Sequence, residues 1–109
     1  MPNYSKNEVV LVRYPFSDLT NFKVRPAIIV NAPHISQDVF IVPLTSKTNN
    51  LLSGEFVLND WKTAGLNVET AVKRSIYTIK ESLIRKKVGI LSNTDAENLE
   101  NSIRVWFGL

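Results

Sequence analysis

The segment Lys23-Val24-Arg25-Pro26-Ala27-Ile28-Ile29-Val30 sets a guanidinium immediately before a proline and an apolar run. Pro26 fixes its own φ and disfavours the helical region for the residue before it, so Arg25 is expected to be extended at the mouth of a strand. The apolar run that follows has no alternation and predicts a strand covered on both faces. A guanidinium held at the lip of a packed core loses little freedom on binding, which suits a group that takes phosphate or carboxylate. The structural alternative is an ion pair with a neighbouring carboxylate. Further on, Thr45-Ser46 ends a second apolar run. Two adjacent hydroxyls where a strand leaves its sheet are able to donate to a phosphate oxygen. The lone His34 stands in the turn-forming stretch Asn31-Ala32-Pro33-His34, and a catalytic base needs an orienting third group, so it is not expected to act.

The elements that must position these groups are short strands. Glu8–Tyr14 is rich in β-branched and aromatic residues and predicts the first of them. Residues 15–23 then form a loop that is long for a hairpin, and its Phe16 and Phe22 suit either a functional contact or a lid folded back on the core. Asp38–Ser46 predicts a third strand, with Pro43 marking an edge or a bulge. Residues 54–58 predict a fourth, and 72–79 and 83–91 two more. Between them, Asn59–Leu66 reads as a single helical turn capped by Gly65. Five or six short strands before any helix predict an all-β core, a small barrel. The end of the chain differs in kind. Ala96, Leu99, Ile103 and Trp106 or Phe107 recur at helical spacing and make one apolar stripe. Ser92-Asn93-Thr94-Asp95-Ala96-Glu97 offers several N-caps, and Thr94 with Glu97 fits a capping box, while Gly108 and Leu109 fall past the last clear turn and are expected to fray.

A chain of 109 residues predicts one domain, 1–109, with a single modest core, so an elaborate site would need a second subunit. The absence of cysteine removes disulfides, thiolate nucleophiles and cysteine metal sites, and matches a reducing cytosol. No apolar run approaches the ~20 residues of a membrane span, and the first residues lack the apolar core of a signal peptide, so a cytoplasmic protein is expected. No Walker loop, dinucleotide fingerprint, H-E-x-x-H pair or G-x-S-x-G elbow occurs, which argues against a metal or a nucleotide cofactor. The net charge of +3 is unevenly spread. Lys73, Arg74, Lys80, Arg85, Lys86 and Lys87 outweigh Glu69 and Glu81 over residues 69–92, whereas Asp95, Glu97 and Glu100 outweigh Arg104 after them. The basic segment reads either as a polyanion-binding face or as a solvated strand edge guarded by lysines.

Taken together, Glu8-Val9-Val10-Leu11-Val12 with Pro15-Phe16, Arg25-Pro26-Ala27-Ile28-Ile29-Val30 and Val42-Pro43-Leu44-Thr45-Ser46 resemble the MazF/PemK toxins of bacterial type II toxin–antitoxin systems. Gly65-Leu66, Thr78-Ile79, Leu83-Ile84 and Gly89-Ile90-Leu91-Ser92 continue the likeness through nearly the whole chain. The resemblance implies a mainly β fold, an SH3-like barrel with a C-terminal helix. It also implies a homodimer inhibited by a cognate antitoxin, and an endoribonuclease that cuts single-stranded RNA without metal or cofactor. The family's catalytic Arg and Thr fall on Arg25 and Thr45; Phe16, Lys23, Ser46, Tyr77 and Thr78 fall where RNA contacts are expected. One departure stands out: Tyr77-Thr78-Ile79-Lys80 replaces the Arg-Thr-Ile-Asp of many members, so an arginine and an acid are both missing.

Metal-free RNA cleavage uses the neighbouring 2′-hydroxyl as nucleophile, so the protein must align that group and stabilise charge on the pentacoordinate phosphorus. Arg25 suits the second task, since it stays protonated at any working pH and is a clamp rather than a base. Thr45 and Ser46 suit the phosphoryl oxygen or leaving group, and Phe16 and Tyr77 suit stacking on unpaired bases. Two other readings stay open. One is a gyrase poison of the CcdB type, whose aromatic–Gly–aliphatic end Trp106-Phe107-Gly108-Leu109 echoes; the other is a non-catalytic nucleic-acid-binding module.

Overall fold

Among the residues described by the computed structural model, 4–14, 23–31 and 38–109, seven strands precede one helix. Phe16, Phe22 and His34 lie outside the described residues, as does the side chain of Lys23. The strands are β1 (Glu8–Tyr14), β2 (Lys23–Ile29), β3 (Asp38–Thr45), β4 (Phe56–Val57), β5 (Ala71–Val72), β6 (Tyr77–Lys80) and β7 (Ile84–Ile90). A 3-10 turn, Glu81–Leu83, joins β6 to β7, and helix α1 runs Asn93–Phe107. All pairings are antiparallel, in the order β4-β5-β3-β2-β1-β7, with β6 also on β3. The expected class is therefore met, but the ladder is open among the described residues, not a closed barrel. The stretch 72–79 also splits into β5 and β6, because the two short strands pair with different parts of β3.

Residues 26–29 of β2 are apolar because that end of the strand has cores on both sides. Ala27 and Ile29 join Val10, Val12, Ile41, Ile79 and Ile84 on one face. Ile28 joins Val9, Val42, Leu44, Leu58, Val72 and Leu99 on the other, under the helix. The expected stripe of α1 makes that second contact through Ala96, Leu99, Ile103 and Trp106, whereas Phe107 is left 61% exposed.

Pro43 is not at an edge. β3 is paired on both sides, and the Pro43 carbonyl accepts from the Lys73 N–H at 3.0 Å. The N and C=O of one strand residue point the same way, so the missing donor falls where β3 changes partner from β6 to β5. Of the several N-caps that the sequence offers, the helix uses Ser92 rather than the Thr94–Glu97 capping box. Ser92 is the N-cap, its Oγ accepting from the Asp95 N–H at 3.2 Å, and Thr94 lies one residue inside the helix start. The tail does not fray. Gly108 takes φ 71°, and the Gly108 and Leu109 N–H groups donate to the carbonyls of Val105 and Arg104, closing a Schellman turn.

Candidate functional site

Arg25 is exposed near the start of β2, where the proline after it holds the backbone extended opposite Val12 of β1. Among the described residues it has no carboxylate within ion-pair distance, so the structural alternative finds no partner there. Thr45 ends β3, the strand next to β2, which it joins through the Ala27–Pro43 pairing. Its Oγ1 accepts from the Lys47 N–H at 3.1 Å. That bond turns the chain out of the sheet and leaves the hydroxyl proton directed to a further acceptor.

Both side chains open onto one cavity of about 980 Å³. Of the remaining expected residues, Ser46 and Tyr77 line it as well, whereas Thr78 is exposed on β6 and is not part of the wall. Tyr77 stands opposite Ile41 on β3, so the aromatic ring comes to the same sheet end as Thr45. Pro26, Pro43, Leu44, Leu66 and Val68 give the wall its apolar part.

The sequence left the basic segment open between a polyanion-binding face and a guarded edge, and it did not single out the lysines that charge this wall. Lys47, Lys73, Lys86 and Lys87 line the cavity with Arg25, and no Asp, Glu, His or Cys among the described residues does. The basic stretch 69–92 carried the signal, but only the fold separates Lys73, Lys86 and Lys87, which reach the wall, from Arg74, Lys80 and Arg85, which do not. Two bulges explain part of this. The β1–β7 register shifts between Val9 and Val10 and again between Leu11 and Val12, so three consecutive residues, Lys86, Lys87 and Val88, border the cavity. Strict alternation would send one of them to the opposite face.

The part of the wall next to β7 is a turn braced from behind. The Ala64 and Leu66 N–H groups donate to Asp60 and Trp61 carbonyls at 3.1 and 3.0 Å, which makes the expected helical turn. Gly65, at φ 85°, ends it against β7. A Cβ on Gly65 would run into the Val88 carbonyl, and one on Gly89 into the Ala64 carbonyl, so only glycines permit this approach. The turn is tied to α1 by Asp95, which is fully buried. Its two carboxylate oxygens accept from the Asn59 and Asp60 N–H groups, each at 2.9 Å.

Two acids outside the lining act on its cations. Glu8, 7% exposed, pairs with Lys87 at 2.5 Å. Glu55 accepts from the N–H groups of Leu52 and Arg74 at 2.6 and 2.8 Å. Burial alone would raise the Glu55 carboxyl, but those two donors and the charges of Lys73 and Arg74 outweigh it and hold the group below its ordinary range. A wall of cations and hydroxyls can bind a polyanion, polarise a phosphoryl oxygen and stabilise developing negative charge.

A search of curated proteins by sequence finds no match. Several solved structures share the fold. An endoribonuclease from a mycobacterial species, in complex with its cognate antitoxin, superimposes with a TM-score of 0.78 at 15% identity, covering 97% of this chain and 96% of that one. Mycobacterium tuberculosis toxin MazF-mt6 gives 0.75 at 21% identity over 94% and 97% of the two chains. MazF from Deinococcus radiodurans gives 0.75 at 14% identity over 97% of each. These identities establish likeness of fold, and the family rests on the sequence itself. Over residues 5–107 it matches the PemK-like, MazF-like toxins of type II toxin–antitoxin systems, and the chain belongs to that family.

Proposed function

We propose that this chain is a metal-independent endoribonuclease that cuts single-stranded RNA, works as a homodimer and is held inactive by a cognate antitoxin. The observation that carries the reading is the meeting of Arg25, Thr45, Ser46 and Tyr77 on one cation-lined cavity with no carboxylate, imidazole or thiolate among its described lining residues. Such a wall is built to receive phosphate. Membership of the toxin family supports the reading, as does the neighbour that is an endoribonuclease bound to its antitoxin.

In this mechanism the substrate's own 2′-oxygen attacks phosphorus and the 5′-oxygen leaves, so the products are a 2′,3′-cyclic phosphate and a 5′-hydroxyl. Arg25 neutralises the charge that grows on the equatorial oxygens, with a planar fork suited to two of them. The Thr45 hydroxyl, already accepting from Lys47, donates to a phosphoryl oxygen or to the departing 5′-oxygen. Tyr77 stacks on an adjacent base, worth about 1–3 kcal/mol. The test is cleavage of a defined single strand by purified protein in EDTA, with both product ends identified. Cleavage to those ends is the expected result. Activity that requires added Mg²⁺, or 3′-hydroxyl products, would overturn it.

A further inference from the structure

The five cations that line the cavity among the described residues are not equivalent. Lys87 alone among them has a carboxylate partner in the described structure, Glu8, which approaches from outside the lining. Glu8 is buried, and its second oxygen accepts from the Ser5 N–H at 2.6 Å. It is therefore a fixed anion outside the lining rather than a mobile counterion. Lys87 remains half-exposed, with a side chain 52% accessible, so the pair sits where a ligand would meet both charges. A phosphate brought to this ammonium meets the carboxylate's repulsion as well as the lysine's attraction. By contrast Arg25, Lys47, Lys73 and Lys86 form no ion pair among the described residues. Glu55 attracts Lys73 from the neighbouring turn without closing such a pair.

We propose that Glu8 sets the grip of the cavity by withholding Lys87, so that Arg25, Lys47, Lys73 and Lys86 bind an RNA segment through about four phosphates. This rests on the reading of the cavity as an RNA site and adds the number of contacts and the residue that limits it. The scissile phosphate carries a single negative charge, and Arg25 with the Thr45 and Ser46 hydroxyls suffices for it. Three further ammonium groups on the same wall therefore act on flanking phosphates.

Binding, separated from cleavage, measures the count. The probe is a fluorescent single-stranded RNA with 2′-O-methyl groups, which lacks the nucleophile, and its affinity for the full chain is followed by anisotropy across a salt series. On a single strand each neutralised phosphate contributes about 0.7 to the slope of log affinity against log salt, so wild type is expected near about −3. Lys47→Gln, Lys73→Gln and Lys86→Gln should each flatten the slope by about 0.7. Lys87→Gln should leave it unchanged. Glu8→Gln, which can still accept from Ser5, should bind more tightly and steepen the slope by about 0.7, and Lys87→Gln added to it should remove the gain. A Lys87→Gln slope flattened like the others overturns the proposal, and so does a folded Glu8→Gln with unchanged or weaker binding. Should Glu8→Gln fail to fold, the Lys87→Gln slope alone decides. If wild type shows no salt-dependent binding, the RNA reading itself falls and this proposal with it.

Discussion

Arg25 is useful because so little holds it and so much surrounds it. Its backbone is set by Pro26 and the β1 pairing, while its guanidinium finds no acid among the described residues and faces a cavity of its own charge sign. Like charges crowded on a wall are unfavourable without a counter-anion, so the site is prepared for one. Arg25→Ala should lower the cleavage rate by about 10²–10³ while leaving the thermal midpoint within a few degrees of wild type. Arg25→Lys should recover only part of the loss, because an ammonium cannot engage two phosphoryl oxygens in one plane. Single-turnover kinetics beside a melting curve checks both. An Arg25→Ala protein that unfolds would instead assign the side chain to the fold.

At the scale of elements, the site depends on a helix that contributes no residue to the cation-lined wall. Asp95 in the first turn of α1 holds the Asn59 and Asp60 N–H groups, and that segment leads directly into the turn ending at Gly65. The carboxylate is buried, but it has two aligned donors and a helix N-terminus to stabilise it. Asp95→Ala should cost about 3 kcal/mol, since it leaves two buried donors unpaired. Asp95→Asn should also destabilise, because the amide nitrogen would face one of those donors. Urea denaturation of the three proteins measures this, and a change under 1 kcal/mol in both variants would show that the clamp is not structural. The other end of α1 is held by a similar device: Ser102 Oγ donates to the Gly54 carbonyl at 2.7 Å and Trp106 Nε1 to the Ser53 carbonyl at 3.0 Å.

For the whole molecule, the question is which face does the work. The C-terminal residues Phe107 and Leu109 are 61% and 83% exposed, and a gyrase poison would act through such an end. The ribonuclease reading puts the work at the opposite device, the cation-lined cavity, whose wall includes no residue of α1. Removing Gly108 and Leu109 takes away two capping hydrogen bonds and should lower stability by about 1 kcal/mol, with RNA cleavage and toxicity retained. Toxicity of the truncated and Arg25→Ala proteins in growing cells separates the two. If the folded truncation is harmless while Arg25→Ala remains toxic and gyrase-linked DNA breaks accumulate, the ribonuclease reading is wrong.

What was legible in the residues alone is what short-range physics controls. The Arg-Pro junction dictated an extended Arg25, the unbroken apolar run announced a strand with two cores, and the stripe through Leu99, Ile103 and Trp106 announced the helix and its buried face. The motifs around Arg25 and Thr45, with those that continue through the later strands, carried the resemblance to the family. Only the tertiary structure decided the rest, because it turns on contacts that no local preference encodes. Three lysines of the basic stretch reach the cavity because bulges in the β1–β7 ladder and the junction after β5 place them there, while their neighbours along the chain remain outside the wall. Thr78 left the site because it sits one residue out of phase with Tyr77 on a strand, where successive side chains take opposite faces. Among the N-caps the sequence offered, the fold took Ser92, and it placed the Asp95 side chain on backbone donors 35 and 36 positions away. Glu8 and Lys87 lie nearly a whole chain apart, and only the pairing of the first strand with the last makes them partners.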